Sequence, residues 1–421
     1  MSGTRQTSTD YTRPYRPLPV ALLNRCGRIL ERFGLELSDL SEASLVAAAR
    51  KVTGLRDLGG EGFFARLSLL LQSVHDEARL HPLGRIMVRQ NLIRILANRL
   101  RLLATLDRHP EIDALAVDAP IFVVGLQRTG TTVMNRLLAA DPAHRFLASW
   151  QAISPAPIQT DGQGDLGEAR RKRLAEISQR GLAYLAPDFF AIHPVEALGP
   201  EEDCLLFDYG LWGTVPEATL HVPSFSAWLE QQDHREAYRF YARVLRVLQF
   251  QWPGGRWVLK TPQHMEQLEV LLETFPDARI VQTHRDPLRV LASFCSMMAH
   301  ARGVFSDAVD PQEVARHWFG KARRMVERAM AARERCGPER FCDVLYYDLV
   351  RDPGAELRRV YAFLGAEISP QAQAAMRRWT ERNPQHKHGR HHYRLDDFGL
   401  DRDEVEAAFA DYRARFAIPH E

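Results

Sequence analysis

Three short stretches carry the residue types that could do chemistry. The first is Gly125-Leu-Gln-Arg128-Thr129-Gly130-Thr131-Thr132, in which two glycines bracket an arginine and three threonine hydroxyls line up beside it. The second is Lys260-Thr-Pro-Gln-His264, which sets a cation and an imidazole four residues apart. The third is Arg285-Asp-Pro, with Ser293 eight positions beyond the arginine. A glycine-bracketed turn lets successive backbone N–H groups point at an anion, and a guanidinium can grip its oxygens in pairs. Set against the pattern G-x-x-x-x-G-K-[ST], the chain supplies Gly125, Gly130 and Thr132, while Thr131 stands where the lysine belongs. That lysine reaches the outer phosphates of a nucleoside triphosphate, so its loss argues against triphosphate hydrolysis and leaves an anion site served by Arg128. A phosphate seated at the start of the helix after Arg285 could take a bidentate contact from that guanidinium and a hydrogen bond from Ser293. Two such sites on adjacent strand ends suit a ligand with two phosphate groups.

The elements that must hold these residues follow from periodicity. Pro120-Ile-Phe-Val-Val is a short apolar run, and apolar positions 133, 134, 137 and 138 recur at helical spacing, giving strand, tight loop, helix. Arg256 to Lys260 and Ala278 to His284 read as further strands that end in polar corners and lead into helices, and Phe341 to Tyr346 reads as another. This alternation predicts a parallel sheet with right-handed crossovers, whose ligands sit at the carboxyl ends of the strands. Arg128, Lys260, His264 and Arg285 all fall at such ends or just beyond them. Leu45, Ala48 and Ala49, then Leu67, Leu70 and Leu71, then Leu92, Ile95 and Leu96 mark earlier amphipathic helices. The expected fold class is α/β, a P-loop-like parallel sheet flanked by helices with an N-terminal helical cap. Its expected divisions are a flexible tail over 1–17, a helical cap over 18–118 and the α/β domain over 119–421. One long helix is expected from Phe225 to Phe250, with Trp228, Tyr238, Phe240 and Tyr241 in the core, and Arg170 to Arg173 on a solvated face of another.

Composition excludes several classes of function. Lys plus Arg number 55 and Asp plus Glu 53, so a net charge of +2 gives no field to gather nucleic acid or an acidic membrane surface. The five cysteines are widely spaced and lack a C-x-x-C pair, which suits a reducing cytoplasm better than a disulfide framework or a zinc ribbon. The first twenty residues are polar, with no apolar stretch of secretory type. A cytoplasmic protein with no nucleic-acid or membrane partner is expected.

The pairing of the motifs points to a family. A strand-loop-helix containing Arg128-Thr-Gly-Thr-Thr132, then Leu259-Lys-Thr-Pro-Gln-His264, then Arg285-Asp-Pro with Ser293, resembles the sulfotransferases that use 3'-phosphoadenosine 5'-phosphosulfate (PAPS), above all their bacterial-type branch. The resemblance runs from Pro120 to about Leu400. It implies that Arg128, Thr129, Gly130, Thr131 and Thr132 hold the 5'-phosphosulfate, that Arg285 and Ser293 hold the 3'-phosphate, and that Tyr346 touches the adenine. It also implies that Lys387, His388, Gly389 and Arg390 close over the 3'-phosphate, although the fuller R-K-G-x-x-G-D-W-K pattern of the cytosolic branch is missing. The reaction expected is sulfuryl transfer to a hydroxyl or amine of a small-molecule or carrier-bound acceptor. His264 would serve as general base and Lys260 would stabilise the leaving oxygen. Glu201 and Glu202, just past Pro200, are the rival bases. A bisphosphate leaving group needs cations and N–H donors rather than magnesium, so no metal is expected. His386, His388, His391 and His392 lie among Lys387, Arg390 and Arg394, a setting for an anion rather than a metal ion. A P-loop kinase or nucleotide hydrolase, and a non-catalytic nucleotide-binding protein, are the alternatives.

Overall fold

Strand β1 (Ile121–Val124) lies at the centre of a five-stranded sheet, with β2 (His144–Phe146), β3 (Arg256–Lys260), β4 (Arg279–His284) and β5 (Phe341–Leu345) arranged in the order β2-β3-β1-β4-β5. The computed structural model describes residues 8–158, 167–383 and 393–421. Every strand pairing is parallel, and Ile121 sits in register with Val258 on one side and Arg279 on the other. All four residues of β1 are buried. A strand alternates its side chains, so Phe122 and Val124 join one core with Leu92, Leu96 and Tyr238. Ile121 and Val123 face the other way, towards Met134, Leu137 and Leu357. Burial on both faces is why the strand is apolar throughout rather than alternating.

The N-terminal helices Leu18–Arg32, Glu42–Thr53, Glu61–Glu77 and Pro82–Arg108 form where the apolar periodicity predicts helix. Ser41 caps the second by accepting from Ser44 N, and Gly54 closes it at φ 71°. Leu45, Leu67, Leu70 and Leu96 share one cluster with Phe122, so the cap region and the sheet have a common core. Among the described residues no helix is long and apolar enough to cross a membrane.

Three expectations differ from the fold. Part of the presumed tail is anchored: Tyr11 is 4% exposed, donates from its hydroxyl to Ser296 Oγ at 2.9 Å, and packs its ring against Phe398. Composition misleads there because one aromatic side chain can fix a polar segment. The expected helix over Phe225 to Phe250 is two, Pro223–Glu230 and Arg235–Gln251, separated by a turn in which Asp233 Oδ1 accepts from Arg235 N. In the basic run, Arg171 is fully buried, lying over Trp150 and Trp252 and donating to the carbonyl of Ser154 and to Gln251 Oε1. A guanidinium is weakly hydrated and stacks on rings, which makes it the cation best able to enter such a place.

The strand order fixes where the chemistry collects. The chain leaves β1 for β2 and β3 on one side and then crosses to β4 on the other, so the loops after β1, β3 and β4 meet at the point where the order reverses.

Candidate active site

The loop after β1 carries the strain of a tight cradle. Gly125 (φ 149°), Arg128 (φ 69°) and Gly130 (φ 96°) all have positive φ. A Cβ on Gly125 would lie 2.5 Å from Thr283 Oγ1, and one on Gly130 would lie 3.2 Å from the Tyr346 ring, so neither position has room for a side chain. Arg128 adopts the left-handed conformation although it is not glycine, a cost that functional sites tolerate. The helix Thr131–Ala139 begins with no side chain capping it, which leaves its first N–H groups aimed at the cradle. Thr131 is buried and Thr132 exposed. Thr129 turns inward instead: its hydroxyl lies 2.6 Å from both the Leu126 carbonyl and Thr283 Oγ1, pinning the loop to β4. Its contribution to an anion is therefore limited to the backbone.

On the neighbouring strand, Arg-Asp-Pro divides its labour. Asp286 is the N-cap of the helix Pro287–Gly303, accepting from Leu288 N at 3.1 Å, and Pro287 takes the first helical position. The helix start is thus occupied by a carboxylate, contrary to the expectation of a phosphate seated there. Arg285 Nη1 donates to the Arg128 carbonyl at 3.2 Å, and Arg128 Nε donates to Ser293 Oγ at 3.2 Å. The Arg285 guanidinium also lies 4.0 Å over the Tyr346 ring. Arg128, Arg285, Ser293, Gly130 and Tyr346 therefore form one cluster. Burial pushes the Arg128 pKa down, with the Arg285 charge acting in the same direction. Two neighbouring cations disfavour each other and favour an anion between them.

One carboxylate already meets this cluster. Glu421 accepts from Arg285 Nε at 2.7 Å and Nη2 at 2.9 Å, while its backbone N donates to Asp286 Oδ2. Two parallel bonds of this kind are the geometry by which a guanidinium holds an oxyanion.

Behind the cradle, Lys260 Nζ donates to Glu202 Oε1 at 2.5 Å, and Glu202 N donates to Glu201 Oε1 at 2.9 Å. Lys260 is 3% exposed and needs this partner. His264 is 0% exposed. Its Nε2 lies 3.0 Å from Asp203 Oδ2 and its Nδ1 lies 2.7 Å from Tyr238 Oη, while Tyr241 also donates to Asp203. Both ring nitrogens are engaged inside the core. The network fastens Asp203, and with it the adjoining Glu201 and Glu202.

Of the expected site residues, the cradle, Arg285, Ser293 and Tyr346 come together, and Lys260, Glu201 and Glu202 form a second group. Lys387, His388, Gly389 and Arg390 lie outside the described residues. Two residues escaped the sequence reading. His193 shares the surroundings of Arg128, Lys260, Glu201 and Glu202; its signal was a histidine opening the acidic loop that ends at Asp203. Glu421 had no local signal, since only the tertiary fold brings it to Arg285.

Residues 120–370 match the model of a sulfotransferase family. The chain belongs to the sulfotransferase family. Sulfotransferase STF9 from Mycobacterium avium is 31% identical, with a TM-score of 0.80 over 91% of this chain and 98% of that one. Sulfotransferase STF1 from Mycobacterium tuberculosis is 33% identical, with a TM-score of 0.76 over 88% of this chain and 98% of that one. The omega-hydroxy-beta-dihydromenaquinone-9 sulfotransferase Stf3 of Mycobacterium bovis is 27% identical over 266 residues. That match spans 60% of this chain and 64% of the relative's length. STF9 and STF1 share this P-loop-like fold.

Proposed function

We propose that this chain transfers a sulfuryl group from PAPS to a hydroxyl of a small, lipophilic acceptor. The observation that carries the reading is the meeting of Arg128, Arg285 and Ser293 beside an uncapped helix start. The residues fit the donor nucleotide. An anion-directed helix terminus, two cradle glycines without room for a side chain, and an arginine already forked onto a carboxylate are what a bisphosphorylated ligand requires.

When bound, PAPS supplies an activated sulfuryl group. The backbone of Arg128 to Thr132, with the hydroxyls of Thr131 and Thr132, holds the 5'-phosphosulfate. Arg285 and Ser293 hold the 3'-phosphate, and Tyr346 contacts the adenine. Arg128 spans the two sites, since its backbone belongs to the cradle and its side chain reaches Ser293. Lys260, fixed by Glu202, stabilises charge gathering on the leaving oxygen. His264 is assigned a positioning role in place of the expected general base, since its ring is fully buried and both its nitrogens are bonded to Asp203 and Tyr238. It fixes Asp203 and so aims the acidic loop.

The acceptor class is supported by the relative Stf3, whose name specifies an omega-hydroxylated menaquinone. A long-chain primary alcohol such as dodecan-1-ol is the acceptor to try first, beside a phenol and an amine. Incubation with sulfur-labelled PAPS should release adenosine 3',5'-bisphosphate and label the alcohol. Labelled inorganic sulfate alone, with every acceptor, would contradict the proposal.

A further inference from the structure

We infer that His193 takes the acceptor's proton, an inference that rests on the sulfuryl-transfer reading above. His193 directly follows the helix Pro187–Ile192, and the carbonyl of Ile192 accepts from Arg128 Nη1 at 3.3 Å. The imidazole therefore begins one residue from a contact with the anion loop. The charges that act on it come from three other elements: Arg128 after β1, Lys260 at the end of β3, and Glu201 and Glu202 in the acidic loop. Its own helix packs against Pro287–Gly303 and Glu168–Leu185. There, Asp188 acts on His300 of the first, and Arg180 pairs with Glu176 within the second.

His193 and His264 divide two roles. His264 is fully buried and bonded at both nitrogens, whereas His193 is half-buried, and among the described residues no hydrogen bond holds either of its ring nitrogens. Burial lowers its pKa against the opposing pull of Glu201 and Glu202, and Lys260 and Arg128 lower it further. A neutral imidazole at neutral pH is ready to accept a proton. The carboxylate of Glu202 is already committed to Lys260.

The balance of the step is simple. A bond forms between the acceptor oxygen and sulfur while the bond from sulfur to the phosphate oxygen breaks, and that electron pair leaves with adenosine 3',5'-bisphosphate. The acceptor's proton passes to His193 and then to water.

The test compares the parent protein with His193→Gln and His193→Ala, using labelled PAPS and dodecan-1-ol. Removing a general base lowers turnover about 10²-fold or more. Both variants should show that loss in kcat/KM, keep the parent's affinity for adenosine 3',5'-bisphosphate and lose the acid limb of the pH profile. Added imidazole should restore part of the turnover of His193→Ala, a rescue that a purely structural role would not give. In the ligand-free parent, the His193 ring followed by NMR should titrate below about 6.5, the ordinary histidine value. Parent-like turnover in His193→Gln, a parallel loss of bisphosphate binding, or a ring titrating at 6.5 or above would each overturn the assignment. A parent that binds the bisphosphate yet labels none of the acceptors overturns the sulfuryl-transfer reading itself, which is a different result.

Discussion

Arg285 Nη1 donates to the main-chain carbonyl of Arg128 at 3.2 Å, tying together the ends of two adjacent strands. This contact joins two loops that are 157 residues apart in sequence. It exists because β1 and β4 are neighbours in the sheet, although β2 and β3 intervene along the chain.

The Glu421 carboxylate occupies the fork of Arg285 that the 3'-phosphate would use. Nucleotide must displace it. Glu421→Gln should therefore tighten adenosine 3',5'-bisphosphate binding by about 3- to 10-fold, the worth of roughly 1 kcal/mol for a partly exposed ion pair. Isothermal titration measures this directly, and weaker binding in the variant would assign Glu421 to the binding surface instead.

Gly130→Ala tests the cradle. The new Cβ would meet the Tyr346 ring at 3.2 Å in a backbone at φ 96°, where an L side chain is strained. A destabilisation of about 1–2 kcal/mol is expected from the conformation alone. Bisphosphate affinity should fall more than stability does, since the same substitution reshapes the N–H cradle.

His264→Ala should act on the fold before it acts on chemistry. It leaves Asp203 and Tyr238 without their shared partner inside the core. A loss of about 2–4 kcal/mol in urea unfolding is expected from the empty volume and the abandoned polar groups. The surviving folded fraction should keep the acid limb of the pH profile, which His193 variants lose.

Asp208 carries a pH signature of its own. Burial raises its pKa to about 7, against the opposing charge of Arg94. A carboxyl whose pKa is raised on folding contributes stability below its unfolded value, and that contribution is lost as pH rises through the folded value. Asp208→Asn cannot ionise. Its melting temperature relative to the parent should therefore climb between pH 5 and pH 8, and a constant difference across that range would contradict the assignment.

Much of this arrangement was legible from residue types. The central strand, the glycine-bracketed loop and the Arg-Asp-Pro corner are local patterns in which a few adjacent residues dictate the backbone, so each formed where expected. Burial of individual polar groups was not legible, because it depends on what packs from elsewhere. His264 lies in a promising motif, yet Tyr238 and Asp203 arrive from distant segments and close over it. Arg171 looked like part of a solvated charge run until Trp150 and Trp252 supplied a place for it. Thr129 likewise spends its hydroxyl on Thr283, a neighbour only through the sheet. Strand β2 has three residues, too few for any alternation to be read.

The central claim is that Arg128 and Arg285 grip one bisphosphorylated nucleotide, and titration with two ligands tests it most directly. Adenosine 3',5'-bisphosphate and adenosine 5'-monophosphate, which lacks the 3'-phosphate, are each titrated into the parent, Arg128→Gln and Arg285→Gln. The parent should favour the bisphosphate strongly, and each variant should lose about 10- to 100-fold in its affinity for it, as expected for charge-assisted hydrogen bonds. Arg285→Gln should in addition scarcely distinguish the two ligands. Variants that bind the bisphosphate as the parent does, with the preference intact, would contradict the account.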